Sequence, residues 1–403
     1  MAAQYSNRHF FRKTPNCYLA KFFEEKGIQL DVNVNQLQEH DIDALQNALN
    51  NLPPDQITAI EAEFQDINAL ACEGGITALV DEASFHNDDA FIAEITAIDG
   101  LHAKAIWAFL NEPNYWRGAA MFLHADNVSA SYWKKRNDFM NLPPHLENND
   151  TDALAKAISG YFAGKEGRGK NCIVELYRRN QKEYFFAYPE DFGQTAIEWV
   201  GGALKNQAHH PAFEIIFVYC EAEGSLDIYA PKNSKAVSKL QALFAEHILK
   251  LDSLSEWQKD KRVYDLNHVL ERGFEFKIEP SSGIVSVLVT SLRVTLKDDR
   301  KERITVEADP YKDDKAVYSL LECLHLPPYD VTQLSLKVTF EPVGGEKAKS
   351  RRVNITYPNS CALNHDGNDL KIRQMLAQSG LEPKAVERKV VELKAGEPKA
   401  VTA

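Results

Sequence analysis

The chain has 403 residues, 44% of them hydrophobic and 26% charged, the balance of a globular protein held together by burial rather than of a disordered or fibrous one. That length exceeds what a single hydrophobic core serves and predicts two or three domains. A formal net charge of −12 argues against coating of nucleic acid or an anionic membrane by the whole surface, so any polyanion has to be met by a local basic patch.

The first thirty residues place Arg8, Arg12, Lys13, Lys21, Glu24 and Glu25 among the apolar positions, which leaves no signal-peptide core. No uncharged apolar run approaches the ~20 residues that span a bilayer. Cytoplasm is the expected compartment, with no membrane partner. The six cysteines, Cys17, Cys72, Cys172, Cys220, Cys323 and Cys361, are scattered, with no C-x-x-C pair and no histidine at zinc spacing. Reduced, mostly buried thiols are expected, without disulfides, metal or cofactor.

From Asp41 to about Asp138 the apolar spacing is helical. Ile57, Ile60, Phe64, Ile67 and Leu70 form one stripe behind Pro53-Pro54, and Phe91, Ile95, Ile98, Leu101, Ile106 and Phe109 continue the pattern with a break expected at Gly100. A helical domain over residues 1–140 follows. Near its end Tyr132-Trp-Lys-Lys-Arg136 interleaves aromatic and basic residues, as stacking on bases with phosphate contact would require, making Trp133, Lys134, Lys135 and Arg136 candidate nucleic-acid contacts. The competing expectation is a helix with Tyr132 and Trp133 toward the core and Lys134 and Lys135 toward solvent. Asn141-Leu-Pro-Pro-His-Leu-Glu-Asn-Asn-Asp150 reads as an exposed connection.

An α+β domain is expected over 151–255. A helical stretch from Asp152 to Phe162 precedes Gly164-Lys-Glu-Gly-Arg-Gly-Lys-Asn171, which nearly spells the phosphate-binding loop G-x-x-x-x-G-K-[S/T]. Asn171 replaces the magnesium-binding hydroxyl, and helix-then-strand is the reverse of the order that aims helix N–H groups at a phosphate. The loop still offers Lys165, Arg168 and Lys170, with Arg178 and Arg179 at the far end of the following strand, as candidate phosphate contacts. Residues 172–179 and 183–188 read as a hairpin across Asn180-Gln-Lys182, and Phe213–Cys220 as a strand apolar on both faces. Ser225–Tyr229 and a helix from Ser234 to Leu251 complete the domain. His209-His210 lacks companions at ligand spacing.

A β-rich domain is expected over 262–380. Its strand candidates are Gly273–Ile278, Ile284–Lys297, Arg303–Glu307, Val331–Phe340 and Arg351–Tyr357, with turns at Asp298-Asp299 and Gly344-Gly345 and helices over 314–324 and 368–378. Asp265 with Glu275-Phe-Lys277 fits the letters of a restriction-type nuclease, in which two carboxylates hold magnesium and the lysine steadies the attacking water. Residues 381–403 are too polar to order without a partner and are expected as a flexible tail.

The fold class expected is therefore a multidomain α+β protein: helical N-terminal domain, antiparallel α+β central domain, β-rich C-terminal domain. No G-x-S-x-G, H-E-x-x-H or deaminase signature occurs. The leading functional expectation is a non-catalytic binding, scaffold or sensor subunit of a bacterial-type cytoplasmic assembly, in nucleic-acid processing or antiviral defence, with another protein subunit as partner. The alternatives are a nucleic-acid binder using the basic 165–179 region and a divalent-metal nuclease using Asp265, Glu275 and Lys277.

Overall fold

The computed structural model describes residues 5–39, 41–254, 262–271, 274–297, 301–342, 348–365 and 367–382. Eight helices come first: α1 (Asn7–Lys13), α2 (Asn16–Glu25), α3 (Ile42–Asn50), α4 (Pro54–Leu70), α5 (Glu73–Phe85), α6 (Asp89–Ala97), α7 (Leu101–Asn111) and α8 (Pro113–Asn127). Their boundaries follow local chemistry. Asp41 and Asp88 cap α3 and α6 by accepting backbone N–H bonds from Ala44 and Phe91, and Gly100, at φ +87°, separates α6 from α7. Phe10, Phe22 and Phe64 sit at the centre of one core formed with α7. Helices α5–α8 bury their other apolar side on a β-sheet.

That sheet contains β1 (Trp133–Arg136) and, after α9 (Asn148–Glu166), β2 (Cys172–Arg179), β3 (Lys182–Pro189), β6 (Ile215–Cys220) and β7 (Ser225–Tyr229). Between β3 and β6 the chain forms β4 (Gln194–Val200) and β5 (Ala203–His209). The order is β1-β7-β6-β3-β2, antiparallel throughout. Side chains alternate between its faces. Phe185, Phe217 and Ile228 meet α9 and α10 (Val237–His247), whereas Phe186, Ile216, Tyr229 and Trp133 meet the N-terminal helices.

The Tyr132–Arg136 segment is a correction to the helical expectation. Tyr132 ends a short 3-10 turn, and Trp133–Arg136 form strand β1 because partners exist on both edges: β7 on one side, and on the other Asn359, whose carbonyl accepts the Lys135 N–H at 3.0 Å. The proline-rich stretch after it is tied down, with His145 N–H donating to the Ile248 carbonyl and Tyr219 Oη to the Leu142 carbonyl (2.8 and 2.6 Å). Glu147 and Asp150 then cap α9 reciprocally.

The C-terminal region builds a second antiparallel sheet from β8 (Ile284–Leu296), β9 (Arg303–Glu307), β10 (Tyr329–Phe340), β11 (Ser350–Thr356) and β12 (Ser360–Cys361), ordered β12-β11-β10-β8-β9. Helices α11 (Ala316–Cys323) and α12 (Gly367–Gln378) accompany it. The expected strand at 273–278 does not form over its described part. Phe274, Phe276 and Ile278 pack on the core, but the Lys277 N–H donates to the Ser379 hydroxyl rather than to a neighbouring strand. Gly273, the turns at Asp298-Asp299 and Gly344-Gly345, and the expected tail from residue 383 onward lie outside the described residues.

The molecule is thus a multidomain α+β protein, helical first, antiparallel α+β in the centre and β-rich at the end. All six cysteines are free, and only Cys220 and Cys361 are buried, fewer than expected. No helix among the described residues is long and apolar enough to cross a membrane.

Candidate functional site

The cations that cluster in sequence do not cluster in space. Lys165, Arg168 and Lys170 stand at one end of β2 and Arg178 and Arg179 at the other, about 25 Å away at strand rise. Gly167, left-handed at φ +74°, ends α9, so the loop meets the carbonyl end of a helix and not its N–H end. Arg168 is consumed internally: it bonds Glu166 (2.9 Å), Asp191 (3.0 Å) and Asn233 (2.7 Å) and stacks 4.1 Å above Phe213. Arg179 is buried on Asp126 (2.9 Å), and Arg178 pairs with Glu183. Trp133 is buried, Arg136 is held by Asp138, and Lys134 is half-buried. Lys165 and Lys170 are exposed.

Asp265 and Glu275 line different depressions. Asp265 instead caps a short turn through the Asn267 N–H and pairs with Arg262 at 2.8 Å. No group of three histidine, cysteine or carboxylate side chains suited to a metal occurs among the described residues. His210 lies 3.3 Å from Glu190 and completes no such set.

Two other places carry functional geometry, neither singled out from the sequence. The first is the β4–β5 hairpin, which leaves the ends of the neighbouring strands β3 and β6 and is a sheet of two strands only. Gly201 and Gly202, at φ +61° and +75°, make the tight turn. Trp199 pairs across the ladder with Leu204, and Ile197 with Asn206, so these share one face with Thr195 and Ala208. That face holds no charged residue, and Trp199, Ile197 and Leu204 are 75%, 69% and 59% exposed. The charges of the hairpin, Glu198 and Lys205, pair on the opposite face.

The second is a chamber of about 520 Å³ between the central sheet and α12, lined by Lys135, Lys182, Glu223, Arg373 and Glu382 among others. It arises from strand alternation. The row Tyr184, Val218, Asp227 and Lys135 crosses four strands on the face that the N-terminal helices cover with apolar side chains further along. At this end the cover comes from the C-terminal region, fastened to β1 by Ser360 Oγ donating to the Trp133 carbonyl at 3.1 Å.

Within the chamber Lys135, 4% exposed, is fully compensated by Glu223 (2.9 Å) and Glu382. Burial would raise the Glu223 carboxyl, but Lys135 and Lys182 hold it down at about 2. Burial raises Asp227 against the pull of Arg373 and both lysines. His365 is held neutral, well below the ordinary imidazole range, by burial and by the neighbouring Arg373, Lys182 and Lys135. Its Nδ1 lies 3.3 Å from Lys182 Nζ and its Nε2 lies 3.5 Å from Asp227 Oδ2. Burial lowers Lys182, with Glu223 opposing.

Arg373 is oriented by two backbone carbonyls, Nε on Asn364 at 3.0 Å and Nη2 on Leu363 at 2.8 Å. Its Nη1 is buried without a hydrogen-bond acceptor among the described residues. Buried polar atoms are nearly always bonded, so Nη1 calls for a partner that the described residues do not supply. A lone Asp227 inside the apolar run Leu226-Asp-Ile-Tyr229 was the sequence signal for this site. No protein-family model matches this sequence, and no curated protein matches it.

Proposed function

We propose that this protein is a non-catalytic binding subunit of a cytoplasmic assembly and that the β4–β5 hairpin is its contact surface. The observation that carries this reading is the uncharged face of Ile197, Trp199 and Leu204 on a two-stranded sheet with no core of its own. A hairpin of two strands is marginal in water until a third layer covers it. Exposed aromatic and aliphatic side chains gathered on one face supply the buried anchors on which binding energy concentrates. The partner is a different protein with an apolar, charge-free surface: a net charge of −12 sets copies of this chain against one another, and a partner without that surplus escapes the repulsion. Contact with nucleic acid is disfavoured, since Arg168, Arg179, Lys135 and Arg136 are already spent on internal carboxylates.

The test compares wild type with Ile197→Ser/Trp199→Ser after light scattering and circular dichroism establish mass and folding. The expected result is a monomer that retains a nuclease-resistant protein partner from native lysate, with retention lost in the double variant. Self-association through the hairpin, equal retention by both proteins, or loss of the partner on nuclease treatment overturns the reading.

A further inference from the structure

We propose that Lys182 is a reactive amine that captures a small α-oxo carboxylate in the chamber as an imine, with Arg373 holding the carboxylate of the captured acid. The proposal is independent of the hairpin and adds a ligand to a protein read above as a binding subunit.

Two lysines line the same chamber and are treated differently. Lys135 has two carboxylates on its ammonium group. Lys182, 7% exposed, has no carboxylate within ion-pair distance among the described residues; its polar partner is the neutral imidazole of His365. Burying an ammonium ion without a counter-ion is costly, and the amine escapes the cost by shedding its proton. The groups facing it are Arg373 and Lys135, which favour the uncharged amine, and Glu223 and Asp227, which oppose it. Burial prevails, and Lys182 is lowered.

His365 serves as an orienting group. With Asp227 Oδ2 on the Nε2 side, the ring proton is favoured there, which turns the Nδ1 lone pair toward Lys182. A nucleophile within reach of an acceptor is the first element of an activated nucleophile, and Asp227, 3.5 Å from Nε2 without a hydrogen bond to it, acts on the ring through its charge. Arg373 contributes the anion recognition: its two fixed N–H groups set the guanidinium plane, Asp227 and Glu382 act on its charge, and Nη1 has no hydrogen-bond acceptor among the described residues. The volume suits a small metabolite.

The step balances without a redox partner. Nζ of the uncharged amine adds to the carbonyl carbon, a C–N bond forms, and the carbonyl oxygen leaves as water with both amine hydrogens. Glu223, 47% exposed on its side chain, marks the mouth through which water exchanges.

The experiment treats the full-length protein at neutral pH with glyoxylate and, separately, with propanal. Cyanoborohydride then reduces any imine to a stable secondary amine, and peptide mass mapping locates it. With glyoxylate, Lys182 is expected to be modified severalfold faster than exposed lysines, since burial leaves more of its amine uncharged. The preference over exposed lysines is expected to be smaller with propanal, which has no carboxylate for Arg373. Lys182→Arg removes the dominant adduct. Glyoxylate labelling spread evenly over surface lysines, or equal Lys182 preference for both probes, overturns the proposal, and the wild-type map decides this even where a variant fails to fold.

Discussion

Two antiparallel units lie within one stretch of chain and have opposite surroundings. In β3, β6 and β7 nearly every residue is buried, because helices cover both faces of the central sheet, whereas in β4 and β5 nearly every residue is open to solvent. Local sequence does not account for the difference, since Ile197, Trp199 and Leu204 are as apolar as many core residues. What differs is the cover: the central sheet derives its stability within the chain, and the hairpin face leaves its apolar area for a partner to bury.

Substitutions sharpen or break that contrast. The largest effect is expected from Phe217→Ala, whose ring stacks on Phe244 at 5.6 Å in the core: about 3–5 kcal/mol of stability lost in urea unfolding. Next is Gly224→Ala in the β6–β7 turn, where φ is +57° and a Cβ would stand 2.0 Å from the Phe139 carbonyl oxygen. A loss of about 1–3 kcal/mol by the same measurement is expected.

The third prediction concerns pH. His365 has a folded pKa far below its unfolded value, so the unfolded chain binds the extra proton, and this contribution to stability is complete above about 6.5 and lost as pH falls. Asp227, raised in the fold, works in the opposite sense, and Glu223 loses its contribution only between its ordinary 4.5 and about 2. Between pH 7 and 5 His365 contributes a slope of up to about 1.4 kcal/mol per pH unit, and His102, whose imidazole burial lowers to about 4, adds one of the same sign, so His365→Gln is expected to reduce the slope and leave the His102 share. Urea midpoints at several pH values measure the slope, and an unchanged slope removes His365 as its source. The smallest effect is expected for Trp199→Ser, within about 0.5 kcal/mol of wild type. A loss comparable to that of Phe217→Ala would mean the hairpin face is already covered within the chain.

Much of the architecture was legible where periodicity was strong. Helix α4 begins at Pro54 behind Pro53 as the stripe predicts, and the break at Gly100 falls where expected. The turn after β2 is Asn180-Gln181, both at positive φ, a tight connection that the polar gap announces. Strand β1 was not legible, because four residues paired to chain far downstream leave no local period. The β4–β5 hairpin was missed because its strands mix apolar and polar residues and bury neither face, which leaves no clear period-2 pattern. The basic loop was legible as charge but not as a site: Asp191, Asn233 and Phe213, which occupy Arg168, come from three later places in the chain. The chamber was hidden for the same reason, being built from β1, β3, β7 and α12.

The fastening of β1 sets a schedule for synthesis. Trp133 leaves the ribosome 227 residues before Ser360, the residue whose hydroxyl donates to its carbonyl. At about 5–20 residues per second the outer edge of β1 waits roughly 10–45 s for its C-terminal cover. During that interval the nascent protein presents a short basic strand edge with its hydrogen-bonding groups unmet, and chaperone dependence is expected to concentrate there.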